Sequence, residues 1–383
     1  MSRSTHFVSL LSGAAALFLC CLGASGVRAE DGQAASSRNA TPVKSSRVTG
    51  GDPGPGNGLD TAEPAYGVKL YDRMGADLPP LPAEKPYSGV VDEAYGAYQR
   101  GLYATAFNMA LKRAEKGDGV AQTLVAAMFS QGHGVRRSMK DATFWYGEAA
   151  KSGDPIAMFK YSLMLLAGDL VKADRKQAED YMRRAAESGN TLAEFNWAQM
   201  LAEDTPGDEG LAAALPFYEK AADKGLADAQ YAVAQIYVGL ESLPPEKKAK
   251  ARDYLMRAAF AGHDTAQHDM GVWLIEGIGG EKDFDAGFQW MKIAAMRGNV
   301  AAQSKLGLLY VNAIGTRPDD VEAAKWYLLA RRAGLNDPDL EDFYLGISEE
   351  TQKKAVEAAA KFYVNRGRAA GDAKLELRKL AGL

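Results

Sequence analysis

The sequence predicts an all-α protein, an α-solenoid of stacked antiparallel helix pairs. Two observations carry this prediction. A glycine recurs every 36 residues, with one interval of 37, and the apolar side chains between these glycines follow a helical period. A fixed period of this length is typical of repeat arrays, in which each unit buries its apolar side against the next. The recurring glycines are Gly117, Gly153, Gly189, Gly225, Gly262, Gly298 and Gly334.

Residues 1–29 have the pattern of a cleavable signal peptide. A positively charged start precedes an uncharged, mostly apolar run at 7–22, and small residues follow up to Ala29. We therefore expect export to the bacterial periplasm, with secretion as the alternative. Both cysteines, Cys20 and Cys21, lie in the apolar run, so cleavage after Ala29 leaves a mature chain without cysteine. Stability must then come from packing and not from disulfides.

Residues 30–86 have the composition of a disordered linker. This segment contains eight glycines and eight prolines, with few large apolar side chains outside 66–81. Such a segment buries too little apolar surface to offset the entropy lost on ordering. We expect a flexible tether; a segment that folds on a partner is the alternative.

Residues 87–366 form the predicted solenoid, with six full repeats at 118–334, a degenerate unit at each end and a tail at 367–383. In each repeat, small or apolar residues lie four, eight, nine and twelve positions after the glycine, on one face of a first helix. A polar, glycine-containing loop and a second helix follow. The second helices begin at N-cap residues, several with the spacing of a capping box, and the next glycine ends them. The clearest of these N-caps are Ser138, Asp174, Asp283 and Asp319.

These repeats resemble the Sel1-like repeat family, a relative of the tetratricopeptide repeat. The resemblance is carried by the small residues of the first helix, the Gly-x-Gly loop, and a second helix with paired aromatic residues and an Ala-Ala pair before the glycine. The clearest copies are 118–153 and 299–334. The resemblance implies a Sel1-like superhelix that acts as a protein-interaction scaffold, commonly in signalling, envelope assembly or polysaccharide export.

The same resemblance places two rows of first-helix residues on a concave groove, six and ten positions after the glycine. Rings on such a groove can anchor a partner peptide. In the alternative interpretation, which the sequence leaves open, these rings pack between repeats. The candidate partner-binding residues are Phe159, Phe195, Tyr231 and His268 in the first row and Gln199 and Gln235 in the second.

Composition and motifs argue against several other classes of function. The formal net charge is −4, so the chain lacks the basic field of a nucleic-acid-binding protein. His263 and His268 point to different sides of a helix, which disfavours a shared metal ion. No phosphate-binding loop, nucleophile elbow or zinc-protease motif occurs. We therefore expect no cofactor, no metal and no catalysis.

The sequence thus predicts a non-catalytic adaptor that binds a protein or peptide in its groove, plausibly a membrane-bound envelope protein. We expect no integral membrane segment once the signal peptide is removed. The alternatives are a protein that binds or modifies the cell wall, acting on peptidoglycan or polysaccharide as an enzyme or accessory factor, and a secreted factor that meets a host protein. The partner and the oligomeric state stay undetermined at this stage.

Overall fold

A computed structural model of the protein describes residues 92–381, and this part of the chain is helical throughout, with no strand. The predicted signal peptide and linker lie outside the described residues. Each helix packs chiefly against its neighbours in the chain, as expected for stacked hairpins. The predicted all-α solenoid is therefore confirmed. Within residues 92–381, no helix is both long and apolar enough to span a membrane.

The six repeats supply alternating first and second helices. The opening unit contains α1 (Glu93–Gln99) and α2 (Tyr103–Ala114). The repeats contain α3 (Gly119–Gln131), α4 (Met139–Lys151), α5 (Pro155–Ala167), α6 (Arg175–Glu187), α7 (Thr191–Asp204), α8 (Asp208–Asp223), α9 (Ala227–Gly239), the single turn α10 (Pro245–Lys248), α11 (Ala251–Phe260), α12 (Asp264–Glu276), α13 (Phe284–Arg297), α14 (Val300–Val311) and α15 (Asp320–Arg332). The closing helices are α16 (Pro338–Gly346), α17 (Glu349–Val364) and α18 (Arg366–Leu380).

The turn between two repeats is short, as the three residues between α4 and α5 illustrate, which are Ser152, Gly153 and Asp154. Gly153 has a φ of 88°, in the left-handed region that favours glycine. Its amide donates to the carbonyl of Ala150, and the amide of Asp154 donates to the carbonyl of Ala149. These bonds form a Schellman motif. Asp154 is also the N-cap of α5, because its carboxylate accepts from the amide of Ala157 at 2.8 Å.

The predicted N-caps of the second helices are confirmed. The side chains of Ser138, Asp174, Asp283 and Asp319 each accept from the backbone amide three residues later. In a full capping box, the backbone amide of the N-cap residue would donate to a side chain three residues later. The amides of Ser138 and Asp174 donate instead to carbonyls of the preceding first helix, those of Phe129 and Leu165. Each cap thereby ties the second helix to the first.

Buried glutamines add a second hydrogen bond at the ends of the second helices. A glutamine five residues after the recurring glycine donates from its amide nitrogen to a carbonyl in the last turn of the preceding second helix, and the amide of the recurring glycine donates to the same carbonyl. The bonds run from Gln122 to Ala114, Gln230 to Ala222, Gln267 to Ala259 and Gln303 to Ala295, at 3.0 to 3.2 Å. In the third repeat Glu194 takes this place, is 1% exposed, and pairs with Lys224 at 2.7 Å.

The segment predicted as a C-terminal tail contains the helix α18, which packs against α13. Ala373 is fully buried in the same apolar cluster as Trp290 and Ile293, and Leu377 packs on that cluster. The alanines and leucines at a spacing of three to four residues supply the apolar side that this contact needs. Residues 366–380 thus cover part of the second-helix row.

Ala313 is strained, since its φ of 52° lies in the left-handed region. The equivalent places after α3, α5 and α12 hold Gly132, Gly168 and Gly277, with φ between 74° and 80°. Left-handed backbone costs a non-glycine residue about 1–2 kcal/mol, and glycine loses part of this gain through its more flexible unfolded state. We expect Ala313→Gly to raise the free energy of unfolding by about 0.5–1 kcal/mol in urea titrations. An unchanged or lower value would contradict this explanation.

Candidate partner-binding surface

The first helices present one side to solvent, which we call the first-helix face. It carries the residues three and ten positions after the recurring glycine, on the side turned away from the buried positions. Its tenth-position row is half-buried throughout, and its third-position row exposes Val120, Ile156 and Leu192 by 39% to 58%. The twelve residues of the face are Val120, Ile156, Leu192, Asp228, Thr265 and Ala301, and Ala127, Leu163, Gln199, Gln235, Val272 and Leu308.

The four predicted ring-bearing residues have different surroundings. Phe159 is 4% exposed and belongs to a core cluster, so for this residue the interpretation of packing between repeats applies. Phe195 is half-buried and makes an edge contact with Tyr218, with ring centroids 5.6 Å apart. Tyr231 and His268 are also half-buried, and both contact the same carboxylate. Burial therefore leaves Phe159 without a surface on which a partner could rest.

Asp269 on α12 contacts three polar side chains, those of Tyr231, Gln235 and His268, and we call these four residues the Asp269 cluster. Its Oδ2 accepts from the hydroxyl of Tyr231 at 2.9 Å and from Nε2 of Gln235 at 3.0 Å. Its Oδ1 lies 2.8 Å from Nδ1 of His268. Gln199, on α7, is half-buried on the same face. The structure thus brings Tyr231, Gln235 and His268 together around a carboxylate that the sequence analysis had not singled out.

His263 supports this cluster from the edge of α12. Its Nδ1 accepts from the amide of Ala266 at 3.1 Å, so it serves as the N-cap where four of the other repeats use Asp or Asn. Because Nδ1 accepts, the ring proton lies on Nε2, which is 3.4 Å from Asp228. The ring also stacks on Tyr231, with centroids 4.7 Å apart. His263 and His268 have separate carboxylate partners, and within residues 92–381 no group of three or more His, Cys, Asp or Glu is arranged to hold a metal ion.

Burial and the neighbouring carboxylate of Asp269 raise the pKa of Tyr231 above its ordinary value. An unfolded tyrosine loses its proton near pH 10, whereas folded Tyr231 retains it to higher pH. The stabilising contribution of this group is therefore fully present below about pH 10. It decreases as the pH rises further, and the slope approaches about 1.4 kcal/mol per pH unit.

We expect Tyr231→Phe to remove this alkaline contribution. Between pH 10 and 11, its free energy of unfolding should fall less than that of the wild type, by about 1 kcal/mol. Urea titrations at pH 9, 10 and 11 measure the slope. Tyr95→Phe is the matched control, since it removes a tyrosine hydroxyl from a side chain that is 51% exposed. Parallel slopes for Tyr231→Phe and the wild type would contradict the prediction.

An apolar cleft of about 200 Å³ opens beside the Asp269 cluster, between α12 and α14. Val272 and Leu308 of the first-helix face both line it. Val272 follows Asp269 by three residues and His268 by four, so all three share one side of α12. The cleft and the cluster are therefore neighbouring parts of one surface. The cleft is lined by Val272, Ile275, Glu276, Met291, Lys305, Leu308, Leu309, Asn312 and Ile314.

A second, more polar depression near Arg252 has a structural role. The guanidinium of Arg252 donates to the carbonyls of Trp273, Ile278 and Glu281 at 2.7 to 3.3 Å. Arg252 thus holds the loop between α12 and α13 in place through hydrogen bonds to backbone carbonyls.

Comparison with known proteins identifies the family of these repeats. The model of the Sel1 repeat matches six consecutive segments, 119–154, 155–190, 191–226, 227–263, 264–299 and 300–335, which together exceed half of the chain. The chain belongs to the Sel1 repeat family. Sel1 repeat proteins are generally non-catalytic scaffolds for protein interaction. A search of curated proteins gives no significant match.

Two solved Sel1 structures resemble this one. A protective antigen of uropathogenic Escherichia coli strains that displays a Sel1-like repeat fold is 26% identical, with a TM-score of 0.59 over 75% of this chain and 62% of that one. A Sel1 repeat protein from Oxalobacter formigenes is 28% identical, with a TM-score of 0.51 over 64% of this chain and all of the other. The chain thus spans less than two thirds of the length of the Escherichia coli protein.

The Asp269 cluster lies where the fourth and fifth Sel1 repeats meet, and the cleft lies where the fifth and sixth meet. Asp269 was not predicted because only the sixth and tenth positions after the glycine were considered. The other repeats have no acidic residue at the seventh position, so the carboxylate at Asp269 was the available signal. The seventh positions of the other repeats hold Leu124, Lys160, Asn196, Ala232 and Lys305.

Proposed function

We propose that this Sel1 repeat protein is a non-catalytic adaptor of the bacterial periplasm that binds a partner protein through its first-helix face. The observation that carries the proposal is the continuity of the Asp269 cluster with the apolar cleft along α12. Hydrogen-bonding side chains next to an apolar recess are the combination that anchors a peptide segment. The partner we favour is an envelope protein, plausibly a membrane-bound one in signalling or assembly.

Photo-crosslinking in the native host tests the binding surface. A benzoylphenylalanine placed at Leu308 should give a discrete crosslinked species, because this side chain lines the cleft. The same residue at Phe144, which is 59% exposed on the second helix α4, is the matched control and should not give that species. No species from Leu308, or the same species from both positions, would contradict the proposal.

Cell fractionation tests the compartment. Periplasmic recovery of a chain that begins at residue 30 supports the proposal, and recovery in the culture medium supports a secreted factor. The resemblance to a protective antigen is the one observation that touches the secreted alternative. A cell-wall enzyme has no specific observation in its favour, and turnover of a peptidoglycan fragment by the purified protein would support it.

A further inference from the structure

The two rows of helices differ sharply in basic residues. The six first helices, α3, α5, α7, α9, α12 and α14, contain two in total, Lys160 and Lys305. The six principal second helices, α4, α6, α8, α11, α13 and α15, contain fourteen. The whole chain is nearly balanced in charge, with 45 basic and 49 acidic residues. Basic side chains are therefore depleted from the row that carries the first-helix face.

Carboxylates remain on this row and flank the cleft. Asp269 and Glu276 lie seven residues apart on α12, about 10 Å along the helix axis, with Val272 and Ile275 between them. Among the described residues, neither carboxylate forms an ion pair with lysine or arginine, and Asp269 is held by Tyr231, Gln235 and His268 instead. Glu276 is exposed at the cleft. The α12 side of the recess is thus apolar in the middle and anionic at both ends.

We propose that the segment bound here carries an aliphatic side chain in the cleft with lysine or arginine on both sides of it. This inference rests on the proposed function and specifies the chemistry of the partner. An extended peptide rises about 3.3 Å per residue, so basic side chains one or two positions from the anchor reach Asp269 and Glu276. The buried anchor supplies most of the affinity, while the charges exclude acidic segments and speed association.

Lys305 sharpens the test, because it lies on the α14 side of the same cleft and repels a basic segment. Lys305→Gln should therefore strengthen binding severalfold. Glu276→Lys should weaken it about tenfold, since an attraction becomes a like-charge repulsion. Glu357→Lys makes the same charge change at an exposed position on α17 and is the matched control, with unchanged affinity expected.

The probe is a phage-displayed library of random dodecapeptides, selected on the immobilised chain of residues 30–383. Enriched peptides should carry a leucine, isoleucine, valine or methionine flanked by lysine or arginine. Fluorescence anisotropy with a labelled selected peptide then measures affinity for each variant and its decline with added salt. Enrichment of acidic or uncharged flanks, no enrichment, or indifference to Glu276→Lys would overturn the inference.

Leu308→Asp separates this inference from the proposed function. It places a charge in the cleft, so it should abolish binding of any peptide that uses this surface. Loss of binding in Leu308→Asp together with acidic selected peptides overturns the inference and leaves the proposed function standing. Selected peptides that bind Leu308→Asp as well as the wild type contradict both. Circular dichroism of each variant confirms that the helices are retained.

Discussion

Substitution of Gly315 by alanine will destabilise the protein by about 3–5 kcal/mol. Gly315 has a φ of 67°, so alanine there incurs left-handed strain. A Cβ at this position would lie 2.0 Å from the carbonyl oxygen of Phe284 and 2.8 Å from Cβ of Phe288. Because the first of these atoms belongs to the backbone at the start of α13, no side-chain rotation relieves the clash. The loop after α14 must then withdraw from α13.

Gly334→Ala is the matched control for this prediction. Gly334 has a φ of 94°, but a Cβ there would meet nothing within 4 Å. Its cost is therefore conformational strain alone, about 1–2 kcal/mol. Urea titrations of the two variants separate strain from steric exclusion. Equal losses would show that the loop after α14 yields easily and that its contact with α13 is unimportant.

A second large effect distinguishes the core from the surface on a single helix. Leu306 is fully buried in the cluster formed by α13, α14 and α15, so Leu306→Ala should cost about 2–5 kcal/mol. Leu308, two residues away, is half-buried and lines the cleft, so Leu308→Ala should cost about 1 kcal/mol. Affinity for a selected peptide should show the opposite order, with a loss in Leu308→Ala and none in folded Leu306→Ala.

Chemical denaturation and peptide anisotropy on the same two preparations check this prediction. A stability loss shared equally by both variants would mean that Leu308 is a core residue. Unchanged affinity in Leu308→Ala would mean that the cleft is not used by the selected peptide. Either result would remove the cleft from the binding surface.

The architecture could be predicted from the sequence because the repeat period fixes the position of every first and second helix. The glycine at Gly153 fixes a left-handed turn, and the caps at Ser138 and Asp174 fix where the second helices begin. The seven recurring glycines support the same assignment, so a wrong helix boundary in one repeat does not shift the boundaries in the others. The buried glutamines, such as Gln267, escaped prediction because a polar residue beside a small one resembles a surface position until its carbonyl partner is known.

The binding surface was less predictable because side-chain exposure depends on contacts between repeats. Phe159 and Tyr231 occupy equivalent positions, yet one is 4% exposed in the core and the other donates to Asp269. Whether a ring at this position is buried depends on the side chains of the adjacent repeat. The repeat period does not show which side chains those are. Helical spacing likewise does not show that Val272 and Leu308, on different helices, line one recess.

The junction at Gly153 and Asp154 has a consequence for how this chain tolerates changes in length. Both residues are committed, one to ending α4 and the other to beginning α5, so an inserted residue would break both termini at once. In the loop inside each repeat, different residues end the first helix and begin the second. The one repeat with 37 residues has its longer connection in this loop, around α10. Evolution and protein engineering can therefore insert residues within the helical hairpins, whereas the turns between hairpins must keep the same number of residues.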